Sequence, residues 1–194
     1  LGPISFYFIS NFVTTQAHSY VRGNWGNEGQ SSFMLMAKSC HDIDYLTYLI
    51  GKDCLRVSSF GSLGHFRKEN APEGATARCA DGCPVEQTCA FSAIKAYVHA
   101  DREVWPANVC SHDHSAEAHL DAIKTGPYGR CVYDCDNDVV DHQVVAMEYE
   151  DGITVTFTMT AFTAGEGRRL RVHGSAGELF FDESSITIQN FATG

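Results

Sequence analysis

The sequence predicts an α+β fold: a large, mostly antiparallel β-sheet with helices packed on one face. β-rich runs lie at both ends of the chain, and helical patterns are confined to the middle. HQVVAMEYE and ITVTFTMTAF flank Asp151-Gly152, the spacing of a hairpin. ITVTFTMTAF also alternates Ile, Val, Phe and Met against Thr, so one face is apolar and the other Thr-rich. Strands at the ends with helices between them suit helices layered on an antiparallel sheet.

Residues 3–13 are rich in Phe, Tyr, Ile and Val and read as the first strand. From Thr14 to Ser32 the chain turns polar and Gly-rich, which reads as an irregular loop. Residues 33–50 read as one helix, with Ser31 or Ser32 as N-cap and Gly51 as the stop. CLRVSSFGSLGHF, 54–66, is a strand interrupted by glycines, and 67–89 is a long loop. AFSAIKAYVHA, 90–100, is a short helix, and SAEAHLDAIKTG, 115–126, is a second, capped by Ser115 and stopped by Gly126. After the hairpin, RRLRVHGS, GELFFD and SITIQNF are further strands, with SAG and DES as turns.

The 194 residues suffice for one large domain with a proper core, and the 44% apolar share is that of a globular protein. No apolar run reaches membrane-spanning length, and the opening LGPISFYFISNFV lacks the basic flank of a signal peptide. A net charge of −10 argues against nucleic acid, because phosphate binding needs clustered Lys and Arg. Eight cysteines without a secretory signal are expected to be reduced, in a cytoplasmic protein.

The helix at 33–50 carries the most chemistry. At about 100° per residue, Leu35, Met36, Ile43, Leu46, Leu49 and Ile50 fall on one side. Lys38, His41 and Tyr45 fall on the other, a face of proton-transfer groups instead of a solvated Glu/Lys mix. His41 suits acid/base work near neutral pH, Lys38 can donate to a substrate oxygen, and Asp44 follows His41 by three residues, close enough to orient its ring. The loop HSYVRGNWGNEG concentrates His18, Tyr20, Arg22, Asn24 and Trp25, a set suited to hydroxyl-rich ligands. GPYGRCVYDCDNDVVDHQVV gathers Tyr128, Arg130, Asn137, Asp138, Asp141 and His142. Cys79, Cys83 and Cys89 sit in the long loop at C-x3-C-x5-C, and zinc needs a fourth ligand from Cys110, His112 or His114. The tight C-x2-C pairs of strong zinc signatures are missing, so free thiols or a disulfide stand beside zinc as readings of the same residues.

Several stretches together resemble the C-terminal domain of the Gfo/Idh/MocA oxidoreductases, the glucose-fructose oxidoreductase and inositol dehydrogenase superfamily. They are LGPISFYF, VRGNWGNEGQSSFMLMAKSCHDIDYLTYLIG, CPVEQTCAFSAIKAY, GPYGRCVYDCDNDVVDHQVVAMEYEDGITVTFTMTAF and RLRVHGSAGELFFD, so nearly the whole chain is covered. The resemblance implies a dihydrodipicolinate reductase-like C-terminal domain that holds substrate and makes homodimer or homotetramer contacts through its sheet. It implies a partner Rossmann domain binding NAD or NADP, and hydride transfer at a hydroxyl-bearing carbon of a sugar, polyol or related small molecule. The family's helix places an Asp and, four residues on, a catalytic His. Here the His maps to His41 and the following structural Asp to Asp44, while the earlier Asp position is Ala37, with Lys38 beside it. Arg22, Asn24, Trp25, Tyr128, Arg130, Asp138 and His142 become the candidates for lining the substrate pocket.

No strand followed by G-x-G-x-x-G occurs, and GEGRRL lacks the third glycine. The expectation is therefore a single domain over 1–194, a fragment without its dinucleotide-binding half and inactive alone. Two readings from other classes stand beside it. One is a freestanding sugar-binding or assembly module, with or without a zinc staple. The other is a metal-dependent lyase or isomerase built on the His/Asp clusters.

Overall fold

A computed structural model describes residues 4–9, 15–163 and 167–194. Residues 3 and 10–13 of the expected first strand, and Gly165 and Glu166 of GEGRRL, lie outside them. The chain divides into two compact units, one of residues 1–11, 34–62 and 140–194, the other of 12–33 and 63–139.

The first unit is a seven-stranded sheet with a helix on it. Its strands are β1 (Ile4–Ile9), β2 (Cys54–Ser62), β3 (His142–Tyr149), β4 (Thr154–Thr160), β5 (Gly167–His173), β6 (Gly177–Phe181) and β7 (Ile186–Asn190). Their order is β2-β3-β4-β1-β5-β6-β7, and every neighbouring pair is antiparallel except β1 and β4, which run parallel. The β3–β4 hairpin forms at Asp151-Gly152, whose φ angles of 60° and 72° are what a tight hairpin turn demands. Alternation then does what the pattern predicts. Val145, Met147, Tyr149, Val155, Phe157, Met159 and Leu170 are buried on one face, and Thr154 and Thr156 are exposed on the other.

The predicted single helix is two. α2 (Met34–Ala37) ends where the Ser39 N–H reaches back to the Met34 carbonyl at 3.4 Å, and α3 (Cys40–Ile50) starts afresh. No side-chain bond from Ser31 or Ser32 caps it; the residue flanking α3 is the buried Ser39. The break changes the phase of the apolar face. Asp42, Leu46 and Ile50 are buried at i, i+4, i+8, whereas Met36 and Leu49 stay 59% and 41% exposed. Thr47 Oγ1 meets the Tyr149 hydroxyl at 3.1 Å, which places α3 against the buried face of β3. Gly51, at φ 64°, ends α3 as expected by donating its N–H to Thr47 O at 2.9 Å.

The second unit is helical and irregular. Gln16–Arg22, read as loop, is a wide-turned helix, numbered α1 as the first in the chain. α4 (Ile94–His99) and α5 (Ala116–Thr125) follow, and Ser115 Oγ caps α5 by accepting the Ala118 N–H at 3.2 Å. Ala93, Tyr97, Val98, Ala107 and Ile123 form the core between them. The long loop keeps its shape through Arg78, whose guanidinium donates to the carbonyls of Ile123, Thr125 and Gly126 at 2.8–3.0 Å. A cation at a helix C-terminus satisfies carbonyls that have no intrahelical partner. Cys79 N–H to Gly129 O (3.0 Å) and Cys131 N–H to Ala77 O (2.8 Å) add a short backbone seam.

Candidate functional site

In the first unit the polar residues cluster at the start of α3. His41 is exposed in its first turn, Lys38 is half-buried in the turn before it, and Asp44 is exposed one turn on. Between them Asp42 is buried, with its Oδ1 accepting from Arg168 Nε of β5 at 2.5 Å. Burial pushes the Asp42 carboxyl up, and Arg168, Lys38 and His41 pull it down. The guanidinium of Arg168 also reaches Glu183 at 3.4 Å. Asp42 therefore anchors to the sheet the first turn of α3, the turn that carries His41. Its role was not legible in the sequence, because Arg168 lies 126 residues away.

His142 of β3 is also tied down. Its Nδ1 lies 2.7 Å from Oδ1 of the fully buried Asp141, and its Nε2 lies 3.2 Å from Ser62 Oγ. Ser62 escaped sequence reading altogether, since only the β2–β3 register places it opposite His142.

In the second unit the candidates divide. Arg22 is buried, with Nε donating to Arg130 O at 2.6 Å and Nη2 to Phe91 O at 2.7 Å. Arg130 is held by Asp136 Oδ1 at 2.5 Å and by Arg22 O at 3.1 Å. Asp138 accepts the Glu28 N–H at 2.7 Å and Asn27 Nδ2 at 3.2 Å, so it shapes the Gly-rich loop. Asn24 and Trp25 project from that loop, both exposed. Tyr128 stacks on His18, rings 4.5 Å apart and 8° from parallel, with Trp105 edge-on to the imidazole at 5.3 Å. Burial first, and the Arg22 charge second, lower the His18 pKa to about 4, so this ring is neutral.

The cysteine reading needs correction. Cys79, Cys83 and Cys89 line one cavity of about 20 Å³, but the fourth cysteine in its wall is Cys131, and Cys110 packs against the helical core. No group of three or more His, Cys, Asp or Glu among the described residues is placed to hold a metal ion. All eight cysteines are free. The sulfurs find other partners: Cys79 Sγ accepts from Ala93 N at 3.4 Å and Arg22 Nη2 at 3.6 Å, and Cys89 Sγ accepts from Phe91 N at 3.4 Å. Burial raises the thiols of Cys89 and Cys131, and that of Cys110 to about 11. Cys83 alone shifts down, hydrogen bonds from Thr76 and Val85 outweighing its burial. Among the described residues, no helix is long and apolar enough to cross a membrane.

Residues 6–180 match the family model described as the GFO/IDH/MocA C-terminal domain. A curated relative from Bacillus subtilis (strain 168), named "Putative oxidoreductase YteT", is 23% identical over 189 residues, covering 94% of this chain. The chain spans 42% of that relative's length. Two solved structures align over the whole chain, each with a TM-score of 0.48. One is an oxidoreductase domain protein from Kribbella flavida, 15% identical, with 38% of its chain covered. The other is the super-repressor mutant of Gal80p from Saccharomyces cerevisiae, 9% identical, with 40% covered.

Proposed function

Because the chain belongs to the GFO/IDH/MocA C-terminal domain family, we propose that it is the substrate-binding and oligomerisation part of an NAD(P)-dependent oxidoreductase. The substrate class is a sugar, polyol or related small molecule that is oxidised or reduced at a hydroxyl or carbonyl carbon. The observation that carries this reading is His41, exposed in the first turn of a helix whose next residue is anchored to the sheet through Asp42 and Arg168. A base for a substrate hydroxyl must be reachable yet fixed in direction, and this arrangement suits both.

This sequence has no strand followed by G-x-G-x-x-G, so the dinucleotide is assigned to a separate Rossmann domain and not to residues here. The nicotinamide, when bound there, supplies the hydride chemistry. In the oxidative direction His41 takes the proton of the substrate hydroxyl; in the reductive direction it returns it. Lys38, next to the Ala37 position, donates to the substrate oxygen, and Asp44 orients the His41 ring. Asn24, Trp25 and Tyr128 are the second-unit side chains proposed for contact with a hydroxyl-rich ligand. Arg22, Arg130 and Asp138 enter this reading as supports around that loop: Arg22 bonds Arg130 and Phe91, Arg130 bonds Asp136, and Asp138 accepts the Glu28 N–H of the loop.

The exposed Thr-rich face of the sheet is proposed to pack on a second copy. A shallow groove of about 420 Å³ runs across it between Arg56, Ala146, Glu148 and Thr156.

The test is the full-length enzyme assayed against a panel of polyols and sugars, with His41→Ala in parallel. Loss of a positioned acid/base group is expected to lower kcat/KM by about 10²–10⁴-fold while nicotinamide affinity is unchanged. Unaltered turnover in His41→Ala, or micromolar NAD binding by the isolated chain in calorimetry, overturns the reading.

A further inference from the structure

We propose that Ser62, His142 and Asp141 form a nucleophile relay in which Ser62 attacks small activated acyl or phosphonyl groups. The geometry is that of a Ser-His-Asp triad. Ser62 Oγ lies 3.2 Å from His142 Nε2, and His142 Nδ1 lies 2.7 Å from Asp141 Oδ1. Both contacts fall near or within the hydrogen-bond range that such relays need, and triads are recognised by geometry and roles, not by chain order.

A Ser–His contact alone is ordinary between paired strands, and Ser62 and His142 are register partners on β2 and β3. Asp141 is what lifts this one above a cross-strand pair. Its side chain is fully buried, and its backbone is pinned on both sides, donating to Ser62 O at 3.0 Å and accepting from Ala161 N at 2.8 Å. A dry carboxylate on Nδ1 selects the tautomer with the proton there. Nε2 is then left as an acceptor facing the serine hydroxyl. The three roles are also distributed as a relay requires: the acid inside, the imidazole half-exposed, the hydroxyl at the surface.

Ser62 closes the C-terminal end of β2, the terminal strand in the sheet order. It is exposed at the β2 edge of the Thr-rich face, beyond the groove residues Arg56, Val57 and Ser58 of the same strand. The chemistry balances with groups present. Oγ forms a bond to the acyl carbon, its proton passes to Nε2, and Nε2 returns that proton to the departing alkoxide. Water then hydrolyses the ester of Ser62 by the reverse path. Small esters with good leaving groups are the substrate class, since the alkoxide must leave with only the His142 proton to assist it.

The experiment is incubation of the chain with a fluorophosphonate probe and, separately, with p-nitrophenyl acetate. Peptide mass spectrometry locates the adduct. With the probe, the Oγ–P bond forms, the P–F bond breaks and fluoride leaves. The expected result is a stoichiometric adduct on Ser62 that is absent in Ser62→Ala and forms at least about 10²-fold more slowly in His142→Gln. His142 is half-exposed, so the glutamine variant is expected to fold, and its unfolding midpoint verifies this. Asp141→Asn is the second arm, expected to slow labelling while Ser62 stays accessible. Labelling of Ser62 no faster than of other exposed serines, or at equal rates in His142→Gln, overturns the proposal.

Discussion

At the residue scale, His18 shows how packing sets chemistry. It is 4% exposed, stacked on Tyr128, and shares a 3.0 Å hydrogen bond with the Tyr97 hydroxyl. Its pKa falls from 6.5 to about 4 because burial and the neighbouring Arg22 charge oppose protonation. A native-state pKa below the unfolded one means that the unfolded chain binds the proton first as pH drops. The contribution is complete above pH 6.5 and is lost as pH falls toward 4. Such a shift corresponds to about 3 kcal/mol at most. Urea unfolding between pH 7.5 and 4 is expected to show this loss, and His18→Gln to flatten it; an unchanged slope in the variant removes His18 as the cause. Residue type did not by itself assign bonding partners. Arg22, a candidate ligand-binding cation by its type, donates to two carbonyls and to the Cys79 sulfur.

At the element scale, short-range signals held at three helix ends and one turn, and failed at Ser31 and Ser32. Ser115 and Gly126 bracket α5, Gly51 stops α3, and Asp151-Gly152 turns the hairpin, because caps and tight turns are decided by a few neighbouring residues. The misreadings came where a distant partner intervened. Residues 33–50 carry one helical period in the sequence, yet the chain breaks at Ser39, and Asp42, not Ile43, leads the buried face because Arg168 receives it. α5 offers a graded test. An alanine at Gly129 would place its Cβ 1.6 Å from Ile123 O, a backbone atom that cannot yield without moving the end of α5. Gly129→Ala is expected to cost about 3 kcal/mol or more, and Ser115→Ala about 1 kcal/mol. Chemical denaturation giving equal effects for both contradicts this account of the α5–Gly129 contact.

At the scale of the whole molecule, an antiparallel sheet with one buried and one exposed face leaves a broad surface to be solvated or covered. The Thr-rich face proposed to meet a second copy makes a direct prediction. Light scattering is expected to report an oligomer for the chain, and Thr156→Glu, at an exposed position in β4, to shift it toward monomer without lowering the unfolding midpoint. A monomer in the unsubstituted chain defeats the proposal. The sequence by itself determined the α+β class, the alternation of β3 and β4, the Ser115 cap, the Gly51 and Gly126 stops and the hairpin turn, all of which are properties of residues within a few positions of one another. Only the tertiary structure decided that β1 runs parallel to β4, that Cys131 and not Cys110 joins the other three thiols, and that Arg168 takes Asp42. It also decided that Ser62, His142 and Asp141 meet. Those pairings join residues far apart in the chain, and no local spacing encodes which strand, once folded, will lie beside which.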